Sequence, residues 1–125
     1  MSIEKIKLNS KVVAEAIIEG LQEIKAKQIT LLDLRNISSA VCDYFIICHG
    51  DSSTHVNGIA QTAEKYVRKE IKEKPWHKEG KENASWILLD YVDVVVHIFQ
   101  RETREFYKLE ELWADAQIEH INSED

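Results

Sequence analysis

The sequence predicts a mixed α/β (α+β) domain with elements in the order α-β-β-α-β-β-α and a mixed sheet of four to five strands. Three observations carry this. Two long segments repeat apolar residues at helical spacing. Four short runs are apolar and largely β-branched or leucine-rich. One proline and four glycines leave little room for long loops. A chain of 125 residues can bury one core without staples. We therefore read residues 1–125 as a single domain, with a core over about 9–117 and a short flexible C-terminal end.

The first helix spans about Lys11 to Lys27, where Val12, Val13, Ala16, Ile17, Leu21 and Ile24 form one stripe that also carries Gly20. Asn9 or Ser10 is its N-cap. Ile29–Leu34 reads as a strand, followed by a polar connection from Arg35 to Asp43. Tyr44 to His49 is almost continuously apolar and ends at Gly50, the pattern of a central strand buried on both faces. Ser52 and Ser53 open a second helix that runs to about Lys74, with Val56, Ile59, Ala60, Ala63, Val67 and Ile71 in period, and Pro75 stops it.

Trp76 to Ser85 reads as a polar connection containing Gly80. Trp86–Asp90 and a run within Asp93–Phe99 are the third and fourth strands. Only Tyr91, Val92 and Asp93 can separate them, so they form a tight antiparallel hairpin. Leu109, Leu112, Trp113 and Ala116 mark a C-terminal helix, with an earlier turn around Thr103 to Tyr107. The helix between the second and third strands predicts that these two run parallel through a right-handed crossover.

A net charge of −6 argues against general affinity for nucleic acid or membrane surfaces. No apolar run approaches a bilayer span, and the N-terminus resembles neither a signal nor a transit peptide, which sets a cytoplasmic expectation. Cys42 and Cys48 read as two small core residues in a reducing compartment.

Several segments invite chemistry. Gly50-Asp51-Ser52-Ser53 sits at a strand-to-helix turn, where backbone N–H groups could hold a phosphate. A metal-dependent transferase would need paired acids at i and i+2 of a strand. Here Asp90 and Asp93 are three apart across a turn, and Val92 occupies the partner position. Ser52 or Ser53 as a helix cap is the simpler role. Cys42, Cys48, His49 and His55 fit no compact metal-ligand spacing, and no nucleophile elbow is present. Lys65, Arg68, Lys69 and Lys72 form a basic stripe on the second helix. It reads first as a solvated face and second as a peripheral contact to RNA backbone, and Arg101, Arg104 and Lys108 form a weaker set.

In the hairpin, Trp86 shares a face with Leu88 and Asp90, and Val95, His97 and Phe99 share a face of the next strand. A histidine among valines is unusual for a core, so His97 is expected to look outward or into a polar pocket. Trp86 is expected to be an exposed anchor, with a core role as the alternative.

The string Asp43-Tyr44-Phe45-Ile46-Ile47-Cys48-His49-Gly50 carries a resemblance, continued by Ser52-Ser53-x-His55-Val56 and Glu79-Gly80. It runs on through Trp86-Ile87-Leu88-Leu89-Asp90-Tyr91 and Asp93-Val94-Val95-Val96-His97-Ile98-Phe99 to Arg104-x-Phe106-Tyr107-x-Leu109-Glu110-x-Leu112-Trp113. Together these motifs resemble the Iojap family of ribosomal silencing factors (RsfS), from the first helix to Trp113.

The resemblance implies a nucleotidyltransferase-like fold without enzymatic activity or cofactor. It also implies binding to the large ribosomal subunit through ribosomal protein L-fourteen, and a steric block to subunit joining that represses translation when nutrients are short. Organellar relatives imply a role in large-subunit biogenesis as an alternative.

On this reading the sheet face around Trp86, Asp90, Tyr91 and His97 meets the ribosomal protein, and Lys65, Arg68 and Lys69 touch neighbouring ribosomal RNA. Two competing readings are a phosphate- or nucleotide-binding transferase using Gly50, Ser52 and Asp90, and a homodimer through the hairpin face. The chain departs from the family at Val92, where Gly is common, and at His49, where Thr is frequent. Because Val resists positive φ, the hairpin turn is expected to differ in type.

Overall fold

A computed structural model describes residues 8–80 and 82–121. Helix α1 (Ser10–Glu23) starts at Asn9, whose side chain accepts from the Lys11 N–H at 2.7 Å. It stops at Glu23, short of the expected Lys27. Lys25 turns to a φ of 57°, and Lys27 already pairs with His49 as the first residue of β1 (Lys27–Asp33). Strand β2 (Tyr44–Gly50) is buried along its whole length, as the apolar run predicts. Helix α2 (Ser53–Ile71) is capped by the Ser52 hydroxyl, which accepts from the His55 N–H at 3.1 Å.

The connection before the hairpin contains a short strand, β3 (His77–Glu79). Strands β4 (Trp86–Asp90) and β5 (Val94–Gln100) follow, then helices α3 (Arg101–Tyr107) and α4 (Leu109–Leu112). Lys108, at a φ of 48°, separates the two helices. The chain then leaves the expected C-terminal helix after Leu112 and forms strand β6 (Gln117–His120). Residues 122–125 of the expected flexible end lie outside the described residues.

The result is a mixed α+β fold with one six-stranded sheet, ordered β3-β4-β5-β2-β1-β6. Four strands are those read from the sequence. The two additional ones, His-Lys-Glu and Gln-Ile-Glu-His, are exposed at every position and lie at the sheet edges. An edge strand without a buried face leaves no alternation to read.

One pairing corrects the expected topology. Strand β2 runs parallel to β5, and β4 lies beyond β5, antiparallel to it. The two patterns explain the order. β5 is buried from Val94 through Phe99, whereas β4 alternates buried with half-buried residues. The strand that can be covered on both faces takes the centre.

Helices α1 and α2 cover one face, packing Ile17, Leu21, Ile59, Ala63 and Val67 over Ile46, Cys48, Val96, Ile98 and Leu89. On the other face, Phe45, Ile47, Val95 and Phe99 pack under Leu109, Trp113 and the connection that carries Leu34, Ile37 and Cys42. Both cysteines are free and buried, and burial raises their thiol pKa to about 11 for Cys42 and about 12 for Cys48.

The β4–β5 turn keeps a positive φ despite its valine. Val92 has a φ of 77°, and the Asp93 N–H donates to the Tyr91 carbonyl at 3.0 Å, a strained γ-turn. The Asp90 carboxylate supports it by accepting from the Val92 N–H at 2.7 Å. Strain of this kind costs about 1–3 kcal/mol, and a glycine loses about 0.4–1 kcal/mol of unfolded-state entropy in exchange. Val92→Gly is therefore expected to stabilise the fold by about 1 kcal/mol, raising the melting temperature by about 4 °C. A melting temperature that stays level or falls would contradict the strain.

A candidate docking face

The face of the sheet opposite α1 and α2 is set by strand alternation. Trp86 pairs with Phe99, Leu88 with His97 and Asp90 with Val95, so all six side chains share it. Trp86 lies half-buried, with its indole against the rings of Phe99 (4.7 Å between centroids) and Tyr107 (5.0 Å). Tyr107 in turn meets Phe106 edge-on at 5.0 Å. Phe106 is 78% exposed and Tyr107 51%, and Leu112 on α4 is 75% exposed. An exposed apolar patch with a half-buried tryptophan at its base has the composition of a protein-binding surface.

The expectation for His97 is corrected. It is 5% exposed and lies beneath the surface, enclosed by Phe45, Trp86 and Phe99. Its Nδ1 accepts the Trp86 indole N–H at 3.1 Å. The neighbours that bury it come from adjacent strands, which an intrastrand pattern cannot show. Tyr91 also departs from the expected grouping. It packs with the α1–α2 core on the opposite face, and burial raises its pKa. Asp90 does share the Trp86 face, but its carboxylate is engaged in the turn.

Lys65, Arg68 and Lys69 are exposed on α2, across the sheet from Trp86. The second basic set divides. Arg101 pairs with Asp51 at 3.1 Å on the surface, whereas Arg104 is buried. The Arg104 guanidinium donates to Glu110 Oε2 (2.7 and 3.2 Å), Thr30 Oγ1 (3.1 Å), His49 Nδ1 (3.0 Å) and the Gln28 carbonyl (2.9 Å). The β1 register shifts between Lys27 and Thr30, and this bulge takes the Gln28 carbonyl out of regular pairing. Arg104 thus fastens α3 and α4 to β1 and β2, and thereby holds Tyr107 against Trp86.

The residues of the transferase reading are not gathered. Gly50 pairs with Gln100 and Asp90 with Val95, which places them about 17 Å apart along β5 at roughly 3.4 Å per residue. Ser52 is used as the α2 cap. A Cβ at Gly50 would stand 2.9 Å from His55 Nδ1, so glycine serves close packing there. Among the described residues, no group of three or more His, Cys, Asp or Glu side chains could hold a metal ion. None of the described helices is long and apolar enough to cross a membrane.

His49 and His97 both have pKa values lowered to about 4, each chiefly by burial, with the Arg104 charge adding to the shift at His49. Well above pH 6.5 both imidazoles are neutral whether the chain is folded or unfolded, and the stability is complete. Between pH 6.5 and 4 the unfolded chain takes up protons that the folded chain refuses, so stability falls with pH. The pair is expected to lose roughly 3 kcal/mol between pH 7 and 5, or about 10 °C in melting temperature. A flat melting profile over that window would show imidazoles in contact with water.

Sequence reasoning missed the exposed Phe106, Tyr107 and Leu112 as surface. Their motif was legible, but short helices carry too little periodicity to show which side faces out. Trp76, 79% exposed beside β3, was hidden in a segment read as a polar connection.

Residues 7–125 match the family profile described as ribosomal silencing factor during starvation (RsfS). The ribosomal silencing factor RsfS of Halalkalibacterium halodurans is 40% identical over 102 residues, covering 79% of this chain and 83% of that one. A mouse protein named mitochondrial assembly of ribosomal large subunit protein 1 is 35% identical over 88 residues, 66% of this chain and 39% of its own length. The crystal structure of a Chromobacterium violaceum protein superposes with a TM-score of 0.79 at 32% identity, covering 86% of this chain and 88% of that one.

Proposed function

The chain belongs to the ribosomal silencing factor (RsfS) family, and from that premise we propose that it docks on the large ribosomal subunit through ribosomal protein L-fourteen. The bulk of the domain then occupies space needed by the small subunit, and translation is repressed when nutrients are limiting. The observation that carries this reading is the aromatic face built on Trp86. The indole, Tyr107 and Phe106 form an apolar surface of the kind a partner protein buries, while the turn residues that would serve transferase chemistry are used for capping and packing.

In this proposal Trp86 is the anchor and Asp90 lies at the rim. Tyr91 supports the hairpin from the other face, and His97 lies behind the anchor. Lys65, Arg68 and Lys69 stand across the sheet, so they would touch ribosomal RNA only if the domain sits between two ribosomal walls. A role in assembling the large subunit is the second reading, favoured by the name of the mouse relative.

The test is sedimentation of the purified chain with separated ribosomal subunits. The chain should travel with the large subunit and reduce joining when added before the small one. Migration with the small subunit, or with neither, would refute docking. Normal joining with a fully occupied large subunit would favour the assembly role.

A further inference from the structure

We propose that His97 is a positioning residue for docking: its imidazole holds the Trp86 indole in the pose that the partner meets, without touching the partner. This rests on the docking reading above. The Trp86 Nε1–H donates to His97 Nδ1 at 3.1 Å, so in the neutral ring the proton sits on Nε2. That Nε2 is sealed from solvent and has no hydrogen-bond partner among the described residues. A buried donor left without an acceptor weakens a fold.

The rest of β5 from Val94 to Phe99 is Val, Val, Val, Ile and Phe, and a leucine at 97 would suit the same surroundings, removing the sealed Nε2 donor and freeing only the indole N–H of the half-buried Trp86. The histidine therefore lowers the stability of the free domain, and the hydrogen bond it makes in return is to the indole. The Phe45 ring, at 71° to the imidazole with 4.7 Å between centroids, and the Phe99 ring, near-parallel at 6.3 Å, set its plane. A half-buried tryptophan without that acceptor would sample several rotamers, and a partner would have to freeze one of them on binding.

Stability and affinity should consequently move in opposite directions. His97→Leu is expected to keep or raise the melting temperature while weakening binding to isolated large subunits about tenfold. Hydrogen exchange at the Trp86 indole N–H, identified by its loss in Trp86→Ala, should speed up. His97→Asn can place an oxygen near the position of Nδ1. It should restore affinity to within about threefold of the parent, even at a lower melting temperature.

Adding His97→Leu to Trp86→Ala should cause no further loss. If Trp86→Ala weakens binding but His97→Leu does not, the positioning role is wrong and docking stands. If affinity and melting temperature fall together in His97→Leu, the histidine is merely structural. If Trp86→Ala leaves binding unchanged, the docking reading fails and this inference fails with it.

Discussion

Trp86→Ala is expected to weaken binding to the large subunit by about 2 kcal/mol or more, roughly thirtyfold, the loss typical of a central aromatic anchor. The indole joins the patch together. It touches Tyr107 on one side and Phe99 and His97 on the other, so its removal leaves a hollow in the middle of the face. Some stability will be lost as well, because Phe99 and His97 are uncovered. Circular dichroism should nevertheless report a folded chain, since the two main layers of the core do not pass through Trp86. Phe106→Ala, at a ring that meets the indole only through Tyr107, should weaken binding much less. Titration with labelled chain and isolated large subunits reads both losses. Equal, small effects from the two variants would show that this face is not the interface.

Arg104→Met is the substitution expected to harm the fold most. It preserves much of the side-chain volume but removes the buried charge and every hydrogen bond that the guanidinium makes. Glu110 can turn towards water, because its side chain is 27% exposed. His49 Nδ1 and Thr30 Oγ1 lose a donor in the interior, and the Gln28 carbonyl loses one nearer the surface. Leaving neutral acceptors unpaired in this way costs about 1–3 kcal/mol each, or about 3 kcal/mol in all, a fall on the order of 10 °C in melting temperature. The loss should extend to binding, since α3 would no longer press Tyr107 against Trp86. Arg104→Lys should recover little, because an ammonium cannot reach the same partners with a planar fork. A melting temperature within about 3 °C of the parent would show that α3 and α4 are held by other means.

What the sequence made legible followed from burial. The run from Tyr44 to Cys48 and the stripe from Val56 to Val67 lie where their patterns place them. The hairpin follows from Asp90 and Asp93 standing so close together. Strand order was not legible, because it depends on which strand can be covered on both faces, and that is a comparison between segments. The site was legible in part. Trp86, Leu88 and Asp90 share a face as alternation requires. The burial of His97 and the engagement of Arg104 arise from residues far away in the chain, such as Phe45 and Thr30. The positive φ at Val92 was misjudged: local preference favours glycine there, but the hairpin and the Asp90 carboxylate together force the turn.

The pairing of the last strand with the first has a consequence for synthesis. Thr30 to Asp33 on β1 find their outer neighbours at Gln117 to His120, and β2 finds its inner neighbour only at Val94 to Gln100. A nascent chain that has released α1, β1, β2 and α2 still lacks the partners on both sides of that strand pair. Such distant pairings are slow to form and leave apolar edges open meanwhile. The sheet can therefore close only after His120 has cleared the exit tunnel.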